Sequence, residues 1–220
     1  MGTIVFDLDG TLADTSADLI AAANACFRRR GHGDVLDPVA DALTAFHGGR
    51  AMLRLGYRRL GIGGEAEVEA DYPVLLQAYE EGIANHTQLY PGAAEAVEAL
   101  LRAGYRTAIC TNKPERLARI LLRHLGVLDL FGALVGADTL PVRKPDPAPY
   151  RRAVDVVGGD VARSFLIGDT ETDLLTARAA RVPVVMVSFG PEGPGIARLN
   201  PDAMLDHFDG LGALAKRILA

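Results

Sequence analysis

The chain has 220 residues, enough for one large domain or two small ones, and 49% of them are hydrophobic, enough for a packed core. A formal net charge of −5 with 23% charged residues excludes a surface built for nucleic acid or for an acidic membrane. Cys26 and Cys110 lack metal-site spacing and are too few for a disulfide framework; with no signal-like N-terminus and no run of about 18 apolar residues, a cytoplasmic protein without a membrane span is expected.

Residues 3–8 (TIVFDL) form a short apolar run, read as a strand buried on both faces. Asp7 and Asp9 then flank a single leucine. Two anions so close raise each other's pKa unless a cation sits between them, so a fold that keeps such a pair has a use for it. Residues 15–87 contain no clear strand. Thr15 and Asp18 suit a capping box, and Leu19, Ile20, Ala23 and Phe27 fall on one helical face that Gly31 can close. Further helical stretches are expected over 38–46, 50–60 and 65–85. The chain returns at LYPG (89–92).

From there strands and helices alternate. Strands are expected over 106–110, 132–137, 163–168 and 183–188. Helices are expected over 93–103 and 114–126, from an Asp146 N-cap with Pro147 in the first turn, and over 211–219. This order predicts an α/β fold: a doubly wound, Rossmann-like parallel sheet formed by residues 1–14 and 88–220, with residues 15–87 inserted as an all-helical cap.

Ligands of open α/β sheets bind beyond the carboxyl ends of the strands. Asp7, Asp9, Gly10 and Thr11 follow the first strand. Thr111, Asn112 and Lys113 follow RTAIC, Lys144 lies in RKPDP, and Asp169 and Asp173 follow RSFLIG. Hard carboxylate oxygens suit Mg²⁺, which commonly shares a substrate phosphate, and such a cation would also neutralise the opening pair. Thr111 and Lys144 can donate to phosphate oxygens. Ligands for a cation beside donors for an anion point to phosphoryl transfer.

DLDGT, CTNK, the lysine of RKPDP and GDTETD occur in this order and sheet context along the whole chain, which resembles the haloacid dehalogenase-like hydrolases. Within them it is most similar to the phosphoglycolate phosphatase-like members, which share DGTL-x-D-[ST] and YPG. The resemblance implies a Mg²⁺-dependent phosphatase acting on a small phosphorylated metabolite. It implies Asp7 as the nucleophile that forms an aspartyl-phosphate, and Asp9 as general acid and then base. It implies Thr111, Asn112 and Lys144 at the phosphoryl group, with backbone N–H groups near Leu8, Asp9 and Asn112 facing it. Asp169, the Asp7 carboxylate and the Asp9 carbonyl would hold Mg²⁺, with Asp173, Gly10 and Thr11 in support. Whether Asp173 touches the metal or acts through water or Lys144 stays open.

Several readings compete with these. Asp173 also suits a first helical turn, Thr111 a helix cap, and Arg143 or Lys113 could take the place of Lys144. FHGGR (46–50) reads either as a helix connection or as a cap loop in which Gly49 and Arg50 meet the substrate. Arg54, Arg58 and Arg59 read as a solvated face, and the five histidines as solvated or structural. A sugar phosphomutase or pyrophosphatase would keep the same core. A receiver-type phospho-Asp switch would carry its acidic pair after the first strand but its acceptor Asp after a later one, and would have little use for a large inserted cap. A phosphonate hydrolase would need a cap lysine, and residues 15–85 contain none. A monomer is expected, with a cap-mediated homodimer as the alternative.

Overall fold

A computed structural model describes residues 2–220 and divides the chain into two compact units, Met1–Asp14 with Leu89–Ala220 and Thr15–Gln88. In the first unit β1 (Thr3–Phe6), β4 (Arg106–Cys110), β5 (Ala133–Val135), β6 (Ser164–Gly168), β7 (Val184–Val187) and β8 (Ala203–Leu205) form one sheet. Its order is β5-β4-β1-β6-β7-β8, and every neighbouring pair is parallel. Two short strands, β2 (Ala13–Asp14) and β3 (Gln88–Leu89), mark where the chain leaves and re-enters this unit, and there the Tyr90 N–H donates to the Leu12 carbonyl at 2.9 Å.

The unbroken apolar runs are explained by helices on both faces, since successive strand residues point to opposite sides. On one side Val5, Cys110, Leu166, Val184 and Met186 pack against Tyr150, Ala153 and Val154 of α7 (Ala148–Val156) and against Ala177 and Ala180 of α8 (Glu171–Ala180). The alternate residues Ile4, Phe6, Ile109, Phe165 and Ile167 are equally buried. Helix α5 (Ala93–Arg102) packs on β4 and on α9 (Leu211–Ile218). The remaining core helix is α6 (Glu115–His124). Helix α7 starts one residue later than expected; Asp146 Oδ1 instead accepts from the Ala148 N–H at 2.8 Å, closing a turn ahead of the helix.

The second unit is all helical: α1 (Ser16–Arg29), α2 (Ala42–Phe46), α3 (Gly49–Leu60) and α4 (Glu65–Glu81). The expected capping box at Thr15 and Asp18 is absent, because Thr15 makes no side-chain cap bond. The Asp18 carboxylate instead accepts from the His86 N–H, the Thr87 N–H and the Thr87 hydroxyl, the last at 2.7 Å, and ties the returning chain to α1. Residues 38–41 are a turn and not the start of α2. Asp37 Oδ1 accepts from the Val39 and Ala40 N–H groups at 2.8 and 2.7 Å, a local bond that competes with helix. Helix α4 stops at Glu81, short of residue 85, where the Asn85 N–H turns back to the Gly82 carbonyl.

Arg30 donates to the buried Asp71 through Nε and Nη2 at 2.8 and 2.9 Å, and the Tyr57 hydroxyl donates to the same carboxylate. This tethers α1, α3 and α4 to one another. Among the described residues no helix is long and apolar enough to cross a membrane.

Candidate active site

Asp7 is the first residue past β1. Its N–H still pairs with the Ile167 carbonyl at 2.9 Å, so its backbone continues the sheet and its side chain stands at the carboxyl edge. The next turn folds back on itself, with Leu12 and Ala13 N–H donating to the Leu8 carbonyl and Gly10 N–H to Ala13 at 2.9 Å. Gly10 has φ +80°, a conformation a side chain would strain. The turn carries Thr11 back towards β6, where its hydroxyl donates to Asp169 Oδ1 at 2.8 Å.

Asp169 and Asp173 follow β6. Asp173 is N3 of α8, and its Oδ2 accepts from the Thr170 hydroxyl at 2.7 Å and from the Thr170 and Asp169 N–H groups at 3.1 and 3.3 Å. A Cβ on Gly168 would lie 2.3 Å from Asp173 Cβ, so only glycine lets this first turn close on the strand. The other Asp173 oxygen accepts from Lys144 Nζ at 2.6 Å. Lys144 is 3% exposed, and its Nζ also lies 3.0 Å from Asp7 Oδ1. The lysine therefore bridges two carboxylates, and Asp173 has partners on both oxygens.

The segment after β4 makes three different contacts. The Thr111 N–H donates to the Val135 carbonyl at 3.0 Å, and its hydroxyl oxygen accepts from the Lys113 N–H at 3.2 Å. Asn112 Nδ2 donates to the Lys144 carbonyl at 3.0 Å. Lys113 Nζ donates to both Asp9 oxygens, at 2.7 and 2.9 Å. This last pair escaped the sequence reading, which weighed Lys113 only as a rival to Lys144. The signal available was a second lysine two residues past Thr111, with no means of telling which acid it meets.

Burial pushes the Asp7 carboxyl up to about 6; Lys144 opposes the rise, and Asp173 and Asp9 add to it. Asp169 is held well above the ordinary carboxylate range, first by burial and then by Asp173 and Asp7. Burial alone would lower Lys144, but Asp173 and Asp7 outweigh it and hold its pKa above the ordinary lysine value. Behind the site, burial pushes the Cys110 thiol up to about 12, so it serves as neutral packing.

Oxygens of Asp7, Asp169 and Asp173 lie within 4.8 Å of one another. Asp169 Oδ2 is buried and has no hydrogen-bond partner. Three buried acids facing one lysine leave an excess of negative charge that a divalent cation fits. Because both Asp173 oxygens already have donors, Asp7 and Asp169 are the better placed to ligate, and Asp173 to hold Lys144.

Within the helical unit Arg50 donates to Glu69 through Nε and Nη2 at 2.6 and 2.8 Å and lies 3.6 Å above the Tyr72 ring. Gly49 is the first residue of α3. Arg54, Arg58 and Arg59 are exposed, as a solvated face requires, and two of them carry ion pairs: Arg54 with Glu65 at 2.6 and 2.7 Å, and Arg59 with the buried Asp41.

The family model for haloacid dehalogenase-like hydrolases matches residues 4–187. The phosphoglycolate phosphatase of Mesorhizobium japonicum is 37% identical over 221 residues, covering 98% of this chain and 96% of its own length. That of Agrobacterium fabrum is 38% identical over 212 residues, covering 94% and 89%. A solved structure from Haemophilus somnus, described as a predicted phosphoglycolate phosphatase, has a TM-score of 0.84 at 26% identity and covers 97% of both chains.

Proposed function

The chain belongs to the haloacid dehalogenase-like hydrolases, and on that premise we propose that it is a Mg²⁺-dependent cytoplasmic phosphatase of a small phosphorylated metabolite, phosphoglycolate or a close chemical relative. One observation carries the reading. A surplus of buried carboxylates lies beside a buried lysine and Thr111 at the carboxyl ends of three adjacent strands. Such a set of groups suits a dianion and a cation together.

Asp7, Asp169 and the Asp9 carbonyl would hold Mg²⁺, which when bound supplies positive charge that neutralises these acids and the phosphate oxygens. An Asp7 oxygen attacks phosphorus. The bond from phosphorus to the leaving oxygen breaks, and that oxygen keeps the electron pair and takes a proton from Asp9. Water then attacks the aspartyl-phosphate and gives a proton to Asp9. The bond to Asp7 breaks, its electron pair returns to the carboxylate, and orthophosphate leaves. Thr111 and Lys144 donate to the phosphoryl oxygens throughout. Arg50, paired with Glu69 in the helical unit, is our candidate for recognising a carboxylate on the leaving group.

The test is a panel of phosphomonoesters, including 2-phosphoglycolate, assayed with Mg²⁺. Turnover should vanish after chelation and return with Mg²⁺, and excess Ca²⁺, which takes more oxygen ligands, should inhibit. Full activity after exhaustive chelation would refute a metal enzyme. A second measurement reads the site without activity. Asp7 with a raised pKa stabilises the metal-free protein below about pH 4, and that contribution, on the order of 3 kcal/mol, is lost as pH rises through about 6. Mg²⁺ takes the place of the proton. Its upward shift of Tm should therefore be larger at about pH 7.5 than at about pH 5.

A further inference from the structure

We propose that Lys113 is a positioning residue for Asp9: it fixes where the Asp9 carboxylate points, and so the geometry of proton transfer, without binding the phosphoryl group. The proposal rests on the reading of Asp9 as the acid and base. Asp9 lies three residues beyond the end of β1, in a turn whose next residue is Gly10 at φ +80°. Its side chain is 18% exposed, against 11% for Asp7 and 0% for Asp173, as suits a group that must reach a leaving oxygen. The turn fixes the Asp9 backbone through its bridge to Ala13, and the direction of the carboxylate is set by what its side chain meets.

Lys113 has the properties of a guide. Its side chain is 3% exposed, which locks a stem that would otherwise be flexible. Its ammonium touches both oxygens of Asp9, at 2.7 and 2.9 Å, and so defines the orientation of the carboxylate as well as its distance. Its own backbone is fixed on either side. The Lys113 N–H donates to Thr111 Oγ1 at 3.2 Å, and the Lys113 carbonyl accepts from the Ala137 N–H at 3.0 Å. Thr111 in turn is held to Val135. One tripeptide thus carries a donor to the phosphoryl group (Thr111), a brace on the Lys144 loop (Asn112) and the guide of the proton carrier (Lys113). The distance between phosphoryl group and proton is set by two residues of one anchored turn.

The readout is the dependence on the leaving group. The ratio kcat/KM covers steps up to departure of the alcohol, and only a poor leaving group needs a well-aimed acid there. Lys113→Met should lower kcat/KM by roughly 10- to 100-fold for an alkyl phosphate. For 4-nitrophenyl phosphate, whose leaving group needs no proton, the loss in kcat/KM should be under about threefold, and KM should rise for neither ester. Lys113→Gln, which keeps the length and one donor, should fall between wild type and Lys113→Met, and carries the same comparison if the methionine variant does not fold. An equal loss on both esters, a loss seen mainly as raised KM, or no loss in either variant overturns the proposal, since each means that Lys113 meets the substrate itself or meets nothing that matters. A wild-type protein that hydrolyses neither ester with Mg²⁺ overturns the phosphatase reading, and this proposal with it.

Discussion

Asp7→Asn should abolish turnover, by at least about 10⁴-fold, while making the metal-free protein more stable at neutral pH. The amide cannot attack phosphorus. The stability gain has a separate cause. Asp7 is buried, next to Asp173 and Asp9, and its proton is held up to about pH 6. Above that pH the folded state carries an anion it solvates poorly, and asparagine removes it. Lys144 keeps Asp173 at 2.6 Å, so no cation is orphaned. Thermal unfolding in excess chelator should show a gain on the order of 1–3 kcal/mol at about pH 8 and almost none below about pH 4. Measurable turnover in this variant would sink the nucleophile assignment, whereas a loss of stability at pH 8 would sink the electrostatic account and leave the chemistry standing.

Lys144→Met should be the most destabilising single change at the site. The lysine is the only cation bridging Asp7 and Asp173 at 3.0 and 2.6 Å among the described residues, and both acids are buried. Removing one member of a buried pair leaves the other charge uncompensated, at about 3–5 kcal/mol. Activity should fall with it, since the phosphoryl group loses a donor. Adding Asp173→Asn should return part of the lost stability without returning activity, because it deletes one stranded charge and restores no cation. Urea unfolding of the two variants at neutral pH checks this. A Lys144→Met protein as stable as wild type would mean that the bridge is not a structural necessity.

The sheet was legible because its strands are short, β-branched-rich apolar runs bounded by turn residues, too short for buried helices and matching strands buried on both faces. TIVF, RTAIC and SFLIG lie where their sequence places them, to within a residue or two. The polar residues were legible for a related reason: in a parallel sheet every residue that follows a strand arrives at the same edge. The errors share one physical origin, a partner distant in sequence or a local bond stronger than propensity. Asp18 has the spacing of a capping box, yet its carboxylate is taken by residues 86 and 87. Pro38 reads as a helix start, yet Asp37 captures the next two N–H groups. Lys113 stands beside Thr111 in sequence, but its partner Asp9 is 104 positions away. No periodicity records such a pairing.

The central place of β1 bears on how the chain is made. Thr3 lies opposite Arg106 on one side and Ser164 on the other. Within this sheet β1 is made before its neighbours, and the second of them, β6, follows about 160 residues later, or roughly 8–30 s at ordinary rates of synthesis. The helical unit ends at Gln88 and can collapse on its own in that interval. Until β6 emerges, Ile4, Val5 and Phe6 lack one neighbouring strand, and this apolar segment stays open to chaperones or to another nascent chain. The aspartate beside it meets Asp169 only once the chain has been extended past Gly168, so no shorter nascent chain carries the assembled site.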